Sequence, residues 1–308
     1  MPTEATAPES PARLLSPYFT GGTGRSGTTI IAKLLHRHPA LAGTRPLESR
    51  FLTDRFGLCD LVEAKPWLLR LVGHLPNRVR LELFERRLRG RWFHRTAGNG
   101  KVVGLHQGID EATLSCALDG FRKGFRINPD AASARLTHEL LDPPARAAGK
   151  PRWIETTPDN AARAGALLQI FPDLRLVHMI RDGRDVAASV AARYWGPDDI
   201  NDALDWWGKR MLQGGRGVAK LPPHQLLTIQ LEDLVLRHRE ETLHKILAFL
   251  DLEPVDPVIQ FHAKMMRPEH AHLSRWTSVM DASARTQFDR RYEAILQRLT
   301  RAGVPVPQ

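Results

Sequence analysis

Residues Tyr18-Phe19-Thr20-Gly21-Gly22-Thr23-Gly24-Arg25-Ser26-Gly27-Thr28-Thr29-Ile30-Ile31 run from apolar and β-branched positions through a glycine-rich stretch into residues that begin a helix. A strand, a tight turn and a helix in that order gather backbone N–H groups and the positive end of a helix around one point, which suits a phosphate. Gly22, Gly27 and Thr29 fit the G-x-x-x-x-G-K-[ST] spacing of a P-loop, but Thr28 stands where that loop carries lysine. The lysine neutralises the β- and γ-phosphates during phosphoryl transfer, so its absence argues against ordinary ATP or GTP hydrolysis. The expectation is an α/β chain with a P-loop-type three-layer fold, a central parallel sheet and a mostly helical insertion.

A second motif lies midway along the chain. Leu174-Arg175-Leu176-Val177-His178-Met179-Ile180 reads as a buried parallel strand; Arg181-Asp182-Gly183-Arg184-Asp185 leads from it into the helical Val186-Ala187-Ala188-Ser189-Val190. Arg181 then stands at the carboxyl end of a strand, where open α/β sheets bind ligands, and Ser189 comes eight residues later, about two helical turns on. A guanidinium there can hold two oxygens of one phosphate.

Gly24-Arg25-Ser26-Gly27-Thr28-Thr29 resembles the 5′-phosphosulfate loop of sulfotransferases that use 3′-phosphoadenosine 5′-phosphosulfate (PAPS), in the branch that holds tyrosylprotein sulfotransferases and related bacterial enzymes. The resemblance implies PAPS as donor, 3′,5′-bisphosphoadenosine (PAP) as product, no metal, and a 3′-phosphate grip by Arg181 and Ser189. His272-Leu273-Ser274-Arg275-Trp276 is similar to the family's late [S/G]-[K/R]-W segment and implies a phosphate contact for Arg275. Leu231-Glu232-Asp233-Leu234-Val235 resembles its Y-E-D-L-V segment with leucine at the aromatic position. Trp153-Ile154-Glu155-Thr156-Thr157-Pro158-Asp159-Asn160 departs from W-x-E-K-T-P-x-N, whose lysine supports the leaving oxygen; the position is Thr156, which carries no charge. Either Arg25 or Arg152 takes over, or turnover is slow, or the acceptor chemistry differs.

Sulfuryl transfer needs a base for the acceptor proton. The resemblance points to Glu48, in the interval after the first helix, with the structural alternative of a simple ion pair to Arg45 or Arg50. His106 is the second candidate, since its ordinary pKa suits proton transfer. The catalytic set is therefore Glu48, His106 and Arg25; the cofactor set is Gly24, Arg25, Ser26, Gly27, Thr28, Thr29, Arg181, Ser189 and Arg275; no metal ligands are assigned, since Glu269, His270 and His272 read as a polar surface loop.

The 308 residues suit one domain over 17–308 behind a disordered leader at 1–16, with a helical cap over 61–141 in which Pro66 and Pro76 bound the helices. Predicted strands are Tyr18–Gly21, Arg152–Glu155, Leu174–Ile180 and Gln225–Leu231. Predicted helices are Gly27–His36, Asp159–Ile170, Val186–Ala192, Asn201–Gly214, Glu240–Leu250 and Ala282–Ala302. The last carries Phe288, Tyr292, Ile295 and Leu299 on one docking face. Within the cap, Arg78, Arg80, Arg86, Arg87, Arg89, Arg91 and Arg95 read as a solvated helix face or as a patch for an acidic glycan or anionic lipid surface.

A net charge of +10 suits an anionic cofactor or acceptor without choosing between them. Two cysteines, no secretion signal and no run of about 18 apolar residues point to a cytoplasmic chain without a disulfide framework or transmembrane segment. Peripheral membrane contact and the oligomeric state stay open. The expected partner is a small-molecule, glycan or lipid acceptor with a hydroxyl or amine, and not nucleic acid. A protein that binds PAP or PAPS with weak or no turnover, and a divergent P-loop kinase, are the competing readings.

Overall fold

The computed structural model describes residues 15–63, 77–97, 100–271 and 273–308. Five strands form one parallel sheet: β1 (Ser16–Gly22), β2 (Leu41–Gly43), β5 (Arg152–Glu155), β6 (Arg175–Ile180) and β7 (Leu226–Gln230), in the order β2-β5-β1-β6-β7. A separate two-residue hairpin, β3 (Arg95–Thr96) with β4 (Val102–Val103), lies in the insertion. The longer helices are α1 (Thr28–Leu35), α2 (Asn77–Arg87), α3 (Glu111–Phe125), α4 (Pro129–Ala147), α5 (Ala164–Ile170), α6 (Gly183–Ala191), α7 (Ile200–Val218), α8 (Arg239–Phe249), α9 (Asp256–Met265) and α10 (Ala282–Arg301).

Strand β1 is central because every residue after Ser16 is buried, and its pleat sends side chains to two cores. Phe19 faces one side, edge-on to Trp153 at 5.8 Å and near Phe171 at 5.6 Å. Tyr18 faces the other, with Ile31, Leu34 and Leu35 of α1 and Val177 and Met179 of β6. Fully burying a side chain such as Phe19 contributes about 2 to 3 kcal/mol. A third core joins α6, α7 and α10, where Phe288, Tyr292, Ile295 and Leu299 are all buried, as their spacing predicts.

Because β1 has β5 on one side and β6 on the other, the chain reverses its winding there. The crevice at the carboxyl ends of β5, β1 and β6 therefore collects the turns that follow all three strands. That is where the glycine-rich loop, Arg181 and Thr156 come together.

Four boundaries differ from the sequence expectation. Leu15 and Ser16 are part of the fold and not of the leader: Leu15 donates to the Asp142 carboxylate at 3.3 Å and Ser16 opens β1. Residues 1–14, Pro66, Pro76 and His272 lie outside the described residues. Strand β2 is too short to give a periodic signal. The helix expected from Asp159 begins at Ala164, because Asn160 turns its amide onto the Thr20 carbonyl (2.8 Å) and the Glu155 carboxylate (2.6 Å). Helix α7 continues past Gly214 to Val218; a Cβ on Gly217 would stand 2.1 Å from the Ala161 carbonyl oxygen, so this glycine marks close packing and not a stop.

The insertion is mostly helical among its described residues. Asp110 caps α3 by accepting from Thr113 N–H at 2.8 Å, and Asn128 caps α4 by accepting from Ala131 N–H at 3.0 Å, with Pro129 first in the helix. Its arginines do not form one solvated face. Arg80 donates to the carbonyls of Asp60 and Leu61, Arg87 donates to the Arg55 carbonyl at 3.2 Å over the Phe56 ring, and Arg89 reaches Ser115 Oγ at 3.0 Å.

Candidate active site

The loop after β1 takes the left-handed backbone at Gly24 (φ 82°), Arg25 (φ 58°) and Gly27 (φ 102°). Glycine tolerates that region freely; Arg25 pays a steric penalty to sit there, as residues at ligand-binding turns often do. At Gly22 a Cβ would stand 2.3 Å from Ser26 Oγ and 2.5 Å from the Met179 carbonyl oxygen, so only glycine lets the loop fold over β6. Ser26 Oγ is buried and has no hydrogen-bond partner among the described residues. A buried hydroxyl inside a glycine cradle at the start of α1 fits an oxyanion.

Arg181 arrives from the end of β6 and locks onto this loop. Its Nη1 donates to the Arg25 carbonyl at 3.2 Å and its Nη2 to the Ala271 carbonyl at 2.9 Å. Ser189, on α6, accepts from Arg25 Nε at 2.9 Å. The loop, Arg181 and Ser189, singled out separately in the sequence, thus share one place. Burial, followed by the nearby Arg193 and Arg181 charges, lowers the pKa of Arg25. Such a gathering of like charges is relieved by an anion.

Arg25, Gly27, Thr28, Thr29 and Arg181 front a cavity of about 340 Å³ whose other walls include Leu231, Val235, Met265 and Met266. Leu231 packs on Gly27, and no hydroxyl is available at its position. Arg275 is tied nearby only through its backbone: its N–H donates to Asp185 Oδ1 at 2.8 Å while its side chain is exposed and lines neither this cavity nor the next. Trp276 packs against Phe288 at 5.8 Å and under the Arg184 guanidinium at 4.8 Å.

On the opposite side of the loop lies a second cavity, of about 680 Å³. Thr23, Gly24, Arg25, Thr28 and Thr29 form one wall; Glu48, Arg50 and Asp54 come from the segment after β2, and Tyr194, Trp195 and Trp206 supply an aromatic side. Glu48 faces this cavity, paired with Arg50 at 3.1 Å. Its neighbours on both sides are pinned. The Leu47 carbonyl accepts from Thr156 N–H at 3.2 Å, Thr156 Oγ1 at 2.9 Å and Thr44 Oγ1 at 3.1 Å. Ser49 N–H donates to Glu155 Oε1 at 2.7 Å. Arg50 itself has φ 50°.

Thr156 is therefore buried and occupied as a staple for the segment that bears Glu48. Arg152 does not take over the missing charge: it sits at the amino end of β5, opposite Ser16, and donates to the Asp251 carbonyl at 3.2 Å. Arg25 lies in the wall between the two cavities. His106 stands elsewhere, with Nδ1 2.7 Å from the Phe93 carbonyl and its ring 4.9 Å from His94, outside the lining of the cavity that holds Glu48.

Several site residues escaped the sequence reading. Glu155 is fully buried, and burial raises its pKa against the pull of donors from Thr157, Asn160 and Ser49; a carboxylate closing the apolar run Trp153-Ile154 was the available signal. Arg50 and Arg95 were in view only as an ion-pair partner of Glu48 and as part of the basic run, not as walls of one cavity, and Arg193 and the Arg210–Asp159 pair had no signal, since turns and long-range pairing bring them in. Among the described residues no group of three or more His, Cys, Asp or Glu is placed to hold a metal, and no helix is long and apolar enough to cross a membrane.

Known proteins resemble this chain in sequence and in fold. The family described as the sulfotransferase family matches residues 86–257. The protein-tyrosine sulfotransferase of Drosophila melanogaster is 21% identical over 262 residues, covering 83% of this chain and 42% of that protein. An uncharacterized protein of Aquifex aeolicus is 30% identical over 127 residues, covering 38% of this chain and 16% of its own length. The chain thus spans less than half the length of either relative. Among solved structures, the sulfotransferase domain from the curacin biosynthetic pathway aligns with 96% of this chain and 100% of its own, at TM-score 0.51 and 14% identity, a likeness of fold.

Proposed function

The chain belongs to the sulfotransferase family, and from that premise we propose that it moves the sulfuryl group of PAPS to a hydroxyl or amine of a carbohydrate, lipid or small-metabolite acceptor, releasing PAP. The observation that carries this reading is the shared wall. Arg25, Thr28 and Thr29 line both the 340 Å³ and the 680 Å³ cavities, so a donor on one side and an acceptor on the other meet across the glycine loop.

PAPS supplies a sulfuryl group already activated as a mixed anhydride with phosphate. The residues present fit it: the loop from Gly24 to Thr29 and the unpartnered Ser26 hydroxyl would hold its 5′ end, Arg181 and Ser189 its 3′-phosphate, and Leu231 with the Met265 and Met266 side chains an apolar base. Arg275, whose backbone N–H is held by Asp185 but whose side chain lines neither cavity, would have to swing inward to contact a phosphate. Glu48 takes the acceptor proton, held toward the cavity by its pinned neighbours Leu47 and Ser49. Arg25 stabilises charge that builds on the departing side.

The test is transfer of labelled sulfate from PAPS across panels of glycans, glycolipids, phenols and tyrosine peptides. Label should move to at least one class, and Glu48→Gln should slow it by roughly 10²- to 10⁴-fold with PAP affinity unchanged. One observation favours a second reading, a PAP-binding protein without turnover: Thr156, where relatives place a cation, is engaged in holding Leu47. Tight PAP binding with no transfer to any class would select it.

A further inference from the structure

The cavity that holds Glu48 is charged in an uneven way. Four arginines line it, Arg25, Arg50, Arg95 and Arg210, against three carboxylates, Glu48, Asp54 and Asp159. Three of the arginines have partners within the protein: Arg25 on Ser189, Arg50 on Glu48, and Arg210 on Asp159. Asp54 accepts from Trp92 Nε1 at 3.3 Å. Arg95, on the hairpin strand β3, lines the same cavity as Glu48 and Arg50 and makes no side-chain hydrogen bond or ion pair among the described residues, although it is only partly exposed.

A half-buried guanidinium without a partner is costly unless something anionic arrives. Burial, then the neighbouring charges of Arg50 and Arg91, lower the pKa of Arg95 by more than the Asp54 and Glu48 carboxylates raise it, so the protein's own anions do not balance its charge. Opposite this charge the cavity is aromatic. The rings of Trp195 and Trp206 lie 6.1 Å apart and tilted by 55°, Trp195 is 49% exposed at the mouth, and Arg210 lies over Trp206 at 5.9 Å. Trp206 also comes within 3.8 Å of where a Cβ on Gly24 would stand, so the aromatic side adjoins the phosphate loop. At about 680 Å³ the space suits a small molecule with one or two rings.

Resting on the sulfotransferase reading above, we propose that the acceptor is a hydroxyl-bearing ring compound that already carries an oxyanion, a carboxylate or a sulfate or phosphate ester, with Arg95 as its specificity-determining contact and Trp195 and Trp206 as the faces against its ring. The oxyanion at Arg95 orients the molecule so that a hydroxyl, and not the charged end, faces Glu48 and the loop. Arg50, already paired with Glu48, is less available than Arg95 to hold the acceptor's anion.

The experiment uses matched probes. 4-Nitrophenyl β-D-glucuronide and 4-nitrophenyl β-D-glucoside differ only in the carboxylate, and their binding to the full chain is followed by tryptophan fluorescence and calorimetry, with and without PAP. The glucuronide should bind roughly tenfold tighter or more, as a charge-assisted contact provides. Arg95→Ala should remove that difference and Arg95→Lys should keep part of it, while PAP affinity stays the same in both variants. The 4-nitrophenyl β-D-glucoside 6-sulfate in place of the glucuronide separates a general oxyanion site from a carboxylate site, and tighter binding of either supports the proposal. Equal affinity for charged and neutral probes, no binding of any charged probe, or a preference that survives Arg95→Ala would overturn it. The PAP titration stands apart: if PAP fails to bind, the donor assignment fails, whereas PAP binding with indifferent probes removes only the acceptor inference.

Discussion

Glu155 shows how one buried side chain organises the site. It accepts from Ser49 N–H at 2.7 Å, Thr157 N–H at 3.0 Å, Thr157 Oγ1 at 2.6 Å and Asn160 Nδ2 at 2.6 Å, which ties the Glu48 segment and the turn after β5 to one carboxylate. Both of its oxygens face donors, so Glu155→Gln sets an amide N–H against a donor in either orientation. The expected loss is about 2 to 4 kcal/mol of stability in urea unfolding, together with slower transfer because Glu48 loses its support. Unchanged stability would mean that the network is not held in solution. The letters of this segment announced a departure at Thr156, but not its purpose: its hydroxyl partner, the Leu47 carbonyl, is 109 residues away in sequence. No local pattern encodes a contact of that range.

At the scale of elements, β6 places a titratable group in the middle of the sheet. His178 is fully enclosed with Nδ1 3.4 Å from Thr228 Oγ1, and burial pushes its pKa down to about 4 from an ordinary 6.5. Between those values the unfolded chain binds a proton that the folded chain refuses, so stability rises with pH across the window and falls as pH drops from about 6.5 toward 4. Buried acids with raised pKa, such as Asp185 and Glu232, act in the opposite sense, so the contribution is read as a difference. His178→Gln should make unfolding free energy less dependent on pH by about 3 kcal/mol over that range. An identical pH profile would contradict the assignment. The strands β1, β5 and β6 were legible because each is a short run buried on both faces, the half-buried edge strand β7 from its apolar Leu226, Leu227 and Ile229, and α10 because its apolar residues recur on one face. The three-residue β2 and the hairpin β3–β4 carry no period to read. The stop expected at Gly214 does not occur, for a physical reason: glycines at the end of α7 let its surface pack closely, Gly215 on Val304 and Gly217 on the Ala161 backbone.

Across the whole molecule, the positive charge divides into structural and site arginines. Arg80, Arg87, Arg152 and Arg175 donate to backbone carbonyls, Arg175 to that of Phe249 at 2.6 Å, whereas Arg25, Arg181 and Arg193 act on one another at the loop and Arg95 lines the second cavity. Composition gave the sign of the ligand, and only the fold brings these residues to two sides of one loop. The central claim is that the crevice beside β1 holds a nucleotide by its 3′-phosphate. Calorimetric titration of PAP against adenosine 5′-monophosphate, which lacks that phosphate, tests it most directly. PAP should bind more tightly to the native chain, and Arg181→Ala should weaken PAP by about 2 to 3 kcal/mol and abolish the preference. Equal affinity for the two nucleotides, or an Arg181→Ala variant that binds PAP as the native chain does, would contradict it.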